Sequence, residues 1–236
     1  MVLFLSSSFV LFGQASRPIP ARDGDVSLQA RRRERRDARW RVGSHSDPFL
    51  IETLRVEAAT LRTYLEKLDE VLPAPADCCI FGSAACMLMG EEGRISLDVD
   101  VAGPYSTVNE AMLRVAAAQI GLPVNPIDDF AGDHIEWIGP LRLCLAQPDI
   151  GGRVVLWQGT RLTIFTVSPA DLTASKLIRY DPSDQADIQF LMVNGRLRYE
   201  DVARAVGRLP APFRDDIVLR ENLQNLQQDC RRWLPT

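Results

Sequence analysis

The amino-acid sequence predicts an α+β protein in which a small mixed sheet is flanked by helices and followed by a helical C-terminal part. Short apolar runs of strand length recur between positions 78 and 167. Leucines at helical spacing precede these runs, and from Ser168 onward the pattern is helical. With 236 residues, the chain can bury a full core without disulfides or a structural metal.

The elements follow in order from these patterns and from the turn residues between them. A helix is predicted over 49–72, where Pro73 and Pro75 end it, and a buried strand over 78–81. Gly82 and Ser83 break that strand before a short helix over 84–89. The remaining strands are predicted over 95–101, 135–138, 141–145, 154–157 and 162–167, with a helix over 108–120.

The C-terminal part is predicted to consist of helices. Ser168 and Asp181 each precede a proline, the signal of a capped helix start, so two short helices are expected there. Helices over 199–206 and 211–233 follow. We therefore expect an N-terminal extension over 1–46, a core with a leading helix over 47–167 and a helical subdomain over 168–236.

The extension is unlike the rest of the chain. Its apolar stretch over 2–13 is too short to span a bilayer and lacks a preceding basic residue, so neither a membrane anchor nor a secretory signal is predicted. Residues 31–41 contain seven arginines and two acids. A basic arm for RNA or DNA is one interpretation. We favour a disordered extension, or residues that precede the true start codon.

Composition excludes some classes of function. A net charge of −4 excludes a generally basic nucleic-acid-binding surface. The five cysteines include no CxxC pair and lie mostly in apolar runs, which indicates reduced, buried thiols and a cytoplasmic location. The two histidines are far apart in sequence, which argues against a Cys/His zinc site.

The strongest chemical signal is a pair of aspartates on one predicted strand. Apolar and polar residues alternate over 95–101, so Asp98 and Asp100 share the face opposite Leu97, Val99 and Val101. Two residues along a strand span about 6.5 Å, a distance at which carboxylates can converge on an ion. Oxygen ligands favour Mg²⁺ or Mn²⁺. A solvated strand face with two acids is the alternative.

The Gly82-Ser83 turn adds a second signal upstream of these aspartates. A glycine between a buried strand and a short helix lets the backbone approach an anionic ligand, although a plain turn would look the same. Together, the turn and the aspartate strand predict a phosphate site beside a metal site. Nucleotidyl transfer requires that arrangement.

Gly82-Ser83 followed by Arg94-x-Ser96-x-Asp98-x-Asp100 resembles the signature of the AbiEii/AbiGii-type toxin nucleotidyltransferases and related bacterial proteins, in the polymerase-β-like nucleotidyltransferase superfamily. A later segment, from Asp171 to Ile188, is also similar. The resemblance covers roughly 80–192, about half of the chain. It implies metal binding by Asp98 and Asp100, a catalytic role for both and for Lys176, and nucleotide binding by Gly82, Ser83, Arg94, Ser96, Lys176 and Arg179.

Other roles stay open at this point. Lys176 is one of only two lysines among 27 basic residues, so it is either a phosphate contact or an ion-pair partner of Asp184 or Asp187. Inter-helix ion pairing would likewise explain Arg179 and these two aspartates. The superfamily often supplies a third carboxylate; Glu136 is the nearest candidate, with Asp184 and Asp187 as further acid/base candidates. We expect His134 to be structural, because nothing in the sequence places it near Asp98 or Asp100.

The function expected from these signals is transfer of an NMP from an NTP to a hydroxyl acceptor, with Mg²⁺ or Mn²⁺ as cofactor. The acceptor is expected to be an RNA, a protein or a small molecule. The resemblance favours RNA or a protein and makes a cognate antitoxin an expected partner. A non-catalytic nucleotide-binding or regulatory protein is one alternative. A toxin–antitoxin interaction partner is the other.

Overall fold

A computed structural model of the chain describes residues 57–96, 98–127 and 130–233. The predicted extension and the start of the first predicted helix lie outside these residues. The helices are α1 Ala58–Val71, α2 Gly82–Leu88, α3 Glu110–Gln119, α4 Pro169–Lys176, α5 Pro182–Asn194, α6 Tyr199–Val206, α7 Ala211–Arg214 and α8 Ile217–Trp233. The strands are β1 Ala76–Phe81, β2 Asp98–Ala102, β3 His134–Ile138, β4 Val154–Gln158 and β5 Leu162–Thr166.

The five strands form one mixed sheet in the order β3-β2-β1-β5-β4. β1 runs parallel to β5 and β2 runs parallel to β3, whereas the β1–β2 and β4–β5 pairs are antiparallel. This sheet, its flanking helices and the helical C-terminal part confirm the predicted α+β class. β2 and β3 pair so that Asp98 lies opposite His134 and Asp100 lies opposite Glu136.

One face of the sheet packs against α1 and α3. Val99, Val101 and Ile135 project there from β2 and β3 and, together with Leu61 and Leu113, line a small apolar cavity. Since side chains alternate along a strand, the neighbouring positions on β2 and β3 project to the other face. The polar residues of these two strands therefore lie on the face away from α1.

A second hydrophobic cluster holds the C-terminal helices together. It contains residues from α4, α5, α6 and α8, among them Ala174, Ile188, Val202, Leu219 and Leu226. Serine and aspartate caps start the first two of these helices, as predicted: the side chain of Ser168 accepts from the N–H of Asp171, and that of Asp181 from Ser183 and Asp184. Within the described ranges, we find no helix that combines the length and apolar character of a membrane span.

Two predicted elements were wrong. The apolar run over 141–145 is not a strand; Leu143, Cys144 and Leu145 are buried as irregular chain, and the carbonyl oxygen of Leu145 accepts a hydrogen bond from the Tyr105 hydroxyl at 2.9 Å. Burial alone produced that apolar pattern.

The helix predicted over 211–233 is two helices, α7 and α8. The carboxylate of Asp216 accepts from the N–H groups of Val218 and Leu219, at 2.7 and 3.3 Å, and so begins a new helix there.

Candidate metal and nucleotide site

An acidic patch lies on the polar face of β2 and β3. Asp98 and Asp100 project from β2, while Val99 and Val101 between and after them are buried on the opposite face, as the alternation predicts. Because β3 pairs in parallel register, Glu136 lies directly beside Asp100 and His134 beside Asp98. The patch therefore combines three carboxylates and one imidazole.

The structure gives His134 a position that the sequence could not predict. His134 was expected to be structural because nothing placed it near the aspartates. The β2–β3 register places it opposite Asp98. One ligand atom from each of Asp98, His134 and Glu136 lies within 4.8 Å of the other two, which is close enough for the three residues to hold one metal ion.

Gly82 is required by its contact with the patch. Its φ of +70° is a conformation that favours glycine, and a Cβ at this position would lie 2.3 Å from Oδ2 of Asp100. The Asp100 carboxylate thus lies against the backbone of the turn between β1 and α2. The predicted glycine turn and the predicted metal ligand are in direct contact.

Asp100 is electrostatically unusual. Burial, and then the nearby negative charges of Asp98 and Glu136, raise the pKa of Asp100 to about 8, against the opposing influence of Lys176 and Arg179. A divalent cation at the patch would offset both the burial and the repulsion that raise the pKa of Asp100.

Ser96 supports the patch. Its hydroxyl donates to Oδ1 of Asp98 at 3.0 Å, which fixes one carboxylate oxygen and leaves the other free to turn toward a ligand. Ser96 was predicted as a nucleotide-binding residue, and the structure places it against the metal-ligand candidate.

A buried polar network ties the Gly82-Ser83 turn to the C-terminal helices. Asp187 on α5 is its centre: the Ser83 hydroxyl, the Lys176 ammonium and the Arg94 guanidinium donate to it at 3.1, 2.6 and 2.6 Å. Arg94 also donates to Oγ of Ser83 and, at 2.8 Å, to Oγ of Ser183. Ser83 and Arg94, both predicted nucleotide-binding residues, are thus held by an aspartate.

Lys176 has the intramolecular partners that the sequence offered as the alternative to a phosphate contact. Its ammonium lies 2.6 Å from Asp187 and 3.4 Å from Asp184, and only 6% of the residue is exposed. Burial lowers the pKa of Lys176, but the charge of Asp187 raises it further, so the ammonium stays protonated. For Asp187 the signs are reversed. Burial raises the pKa of this carboxyl, but Lys176 and Arg94 lower it further, to below its usual value.

Arg179 is the most accessible of the predicted nucleotide-binding cations. Its guanidinium donates two hydrogen bonds of 2.7 Å to Asp184 and lies 3.2 Å from Asp181. The side chain is still 47% exposed, and its charge acts on Asp100. Arg179 can therefore meet an anion at the patch without breaking the buried pairs around Lys176.

Sequence reasoning missed Glu91. Burial and the negative charge of Asp187 raise its pKa to about 7, and its Oε2 has no hydrogen-bond partner in the described part of the chain. Cys86, Glu91 and Asp187 lie close enough to share an ion. Asp187 already binds two cations, however, and burial raises the pKa of the Cys86 thiol to about 12. These contacts argue against a metal site at this group. Nothing in the sequence distinguishes Glu91 from Glu92.

Comparison with known proteins finds no similar protein. No family model matches the chain, and neither a curated protein nor a solved structure matches it. The features available for assigning a function are therefore those of the structure itself. They are a mixed sheet with three carboxylates and an imidazole on two adjacent strands, and a glycine turn beside them.

Proposed function

We propose that this protein is a nucleotidyltransferase, dependent on Mg²⁺ or Mn²⁺, that transfers an NMP from an NTP to a hydroxyl acceptor and releases pyrophosphate. The observation that supports this most is the register of β2 and β3, which brings Glu136 beside Asp100. The sequence motif supplied two carboxylates, and this register supplies a third.

Asp98, Asp100 and Glu136 would hold the divalent ion in this proposal. Bound there, the ion would neutralise the carboxylates and stabilise charge on phosphoryl oxygens. Gly82 keeps the turn backbone against Asp100, and Arg179 offers its exposed guanidinium to the triphosphate. Lys176 adds positive potential beside Asp100 from its buried position.

The acceptor and the partners follow from the resemblance. Toxin-like relatives make an RNA or a protein the proposed acceptor, and a cognate antitoxin a proposed partner. We also propose a cytoplasmic location, because the five cysteines are all buried free thiols, as expected in a reducing compartment.

A non-catalytic nucleotide-binding protein is the second candidate. The observation that favours this candidate is that Arg94 and Lys176 form ion pairs with Asp187. A triphosphate would have to break these pairs before either cation could contact it. Binding alone can rely on the exposed guanidinium of Arg179, whereas transfer also needs cations that act on the reacting phosphates.

The test is label transfer. Purified full-length protein is incubated with Mg²⁺ or Mn²⁺, each α-labelled NTP in turn, total tRNA and cell extract. Asp98→Asn and Asp100→Asn are compared with the control Asp77→Asn, whose carboxylate is on β1 and half exposed. Each patch substitution removes a repelling charge, so folding should be retained.

We expect label on RNA or protein with the wild type and with Asp77→Asn, and a loss of at least about 100-fold in the patch variants. Absence of label with metal-dependent NTP binding would favour the second candidate. Absence of both would reject a nucleotide function for the patch.

A further inference from the structure

We propose that Tyr180 is a positioning residue for Arg179, and that Asp229 on α8 holds Tyr180 in place, so that the C-terminal helix forms part of the anion-binding site. This inference deepens the proposed function and rests on it, because Arg179 is the exposed cation that would meet the triphosphate. It also adds an element that the sequence resemblance, which ends near residue 192, does not cover.

The backbone of Tyr180 lies in the left-handed region. Its φ is +52°, and its N–H donates to the carbonyl oxygen of Lys176 at 3.0 Å. Tyr180 therefore follows the last turn of α4 at a position where helices usually have a glycine. A Cβ makes this conformation costly. Such strain persists only where surrounding contacts hold it, and it is most common at ligand-binding and active sites.

Contacts with α8 hold Tyr180 in this conformation. Its hydroxyl donates to Oδ2 of Asp229 at 2.7 Å. The residue is only 7% exposed and belongs to the second hydrophobic cluster, which also contains Leu226 of α8. Asn222, on the same helix, donates from Nδ2 to the carbonyl oxygen of Leu177 at 2.8 Å. α8 therefore binds the segment between α4 and α5 at two points.

The left-handed turn determines which residues Arg179 contacts. Asp181, the next residue after Tyr180, caps α5, and Asp184 lies in the first turn of that helix. The Arg179 guanidinium lies 3.2 Å from the carboxylate of Asp181 and 2.7 Å from that of Asp184, and its charge acts on Asp100. If Tyr180 relaxed to a negative φ, the chain would leave α4 in another direction, and these partners would move away from Arg179.

The experiment is a double-mutant cycle on the full chain, with inorganic triphosphate in Mg²⁺ buffer as the calorimetric probe. Tyr180→Phe removes the hydroxyl and keeps the ring, and Arg179→Gln removes the guanidinium; the two changes are made singly and together. Tyr105→Phe is the matched control. It also loses one tyrosyl hydrogen bond, of 2.9 Å to the carbonyl oxygen of Leu145, but this bond involves neither α4, α5 nor α8.

We expect Tyr180→Phe to weaken triphosphate binding about 10-fold and Arg179→Gln about 10- to 100-fold, with Tyr105→Phe at the wild-type affinity. Asp229→Ala, which removes the acceptor instead of the donor, should behave like Tyr180→Phe. In the Arg179→Gln background, Tyr180→Phe should have no further effect, because a positioning residue acts only through the group that it positions. A merely structural role would lower the free energy of unfolding and leave the affinity of the folded protein unchanged.

Wild-type affinity in Tyr180→Phe and Asp229→Ala would overturn this inference, as would losses that add in the double variant. Both results would leave the proposed function standing, because neither concerns the carboxylate patch. Wild-type affinity in Arg179→Gln would overturn the inference as well. If the wild type binds neither inorganic triphosphate nor any NTP with Mg²⁺, the inference and the proposed function fail together.

Discussion

The contact between Gly82 and Asp100 allows a sharp test of the site, because the chain contains a matched glycine. Gly82 and Gly93 have φ values of +70° and +71°. A Cβ at Gly82 would lie 2.3 Å from Oδ2 of Asp100, whereas a Cβ at Gly93 would meet nothing within 4 Å. Gly82→Ala and Gly93→Ala therefore share the backbone penalty and differ in the contact with Asp100.

The magnitudes follow from this geometry. Either alanine costs about 1–2 kcal/mol of stability for its left-handed backbone. At Gly82, the carboxylate of Asp100 must also retreat by about 1 Å to reach an ordinary contact distance, a displacement that typically costs a functional site about 100-fold. We expect Gly82→Ala to weaken Mn²⁺ binding about 10- to 100-fold, and Gly93→Ala to leave it unchanged.

The assay is calorimetric titration with Mn²⁺, beside urea unfolding of the wild type and both variants. Equal Mn²⁺ affinity in Gly82→Ala and the wild type would refute the close approach of the turn to the metal ligand. An equal loss in both variants would assign the effect to backbone strain alone.

Two further predictions concern the buried network. Asp187→Asn should lower the free energy of unfolding by about 3–5 kcal/mol, because it leaves buried cations without their partner, and urea unfolding measures this loss. The folded chain holds a proton on Glu91 up to about pH 7, whereas the unfolded chain releases it near pH 4.5, so stability should fall as pH rises between these values. Glu91→Gln should remove that part of the pH dependence of unfolding.

Both predictions have exposed controls. Asp215→Asn, whose carboxylate pairs with Arg214 and Arg220 at the surface, should cost less than about 1 kcal/mol. Glu92→Gln, at the exposed neighbouring position, is the matched control for Glu91→Gln. A loss in Asp187→Asn as small as in Asp215→Asn would contradict the buried network, and an unchanged pH profile in Glu91→Gln would reject Glu91 as the source.

The sequence predicted the site as far as local periodicity extends. Alternation along one strand placed Asp98 and Asp100 on a shared face, because side-chain direction depends only on position within the strand. The sequence also offered Glu136 as a candidate third carboxylate, but it could not show where Glu136 lies relative to these aspartates. Pairing register between separate strands depends on packing across the whole sheet, so the positions of Glu136 and His134 beside the aspartates required the structure.

The misassigned segments have physical reasons of their own. An apolar run such as 141–145 indicates burial, and burial does not require a strand partner. In the last helical region, the sequence around Asp215 and Asp216 is compatible with a continuous helix. In the structure, the Asp216 carboxylate accepts a hydrogen bond from the following backbone, which divides the region into two helices. In both places, the outcome depends on competing partners that the sequence pattern does not show.

The position of Asp187 has a consequence for how this chain can be divided. The boundary drawn from the sequence at residues 167 and 168 separates the acidic patch from α5, yet Asp187 on α5 holds Ser83 and Arg94. A fragment that ends at residue 167 would keep all the metal-ligand candidates and lose the residue that anchors the turn beside them. The smallest fragment that keeps both the acidic patch and the anchor of its turn therefore extends through α5, and a fusion protein that is to carry the patch needs that helix as well.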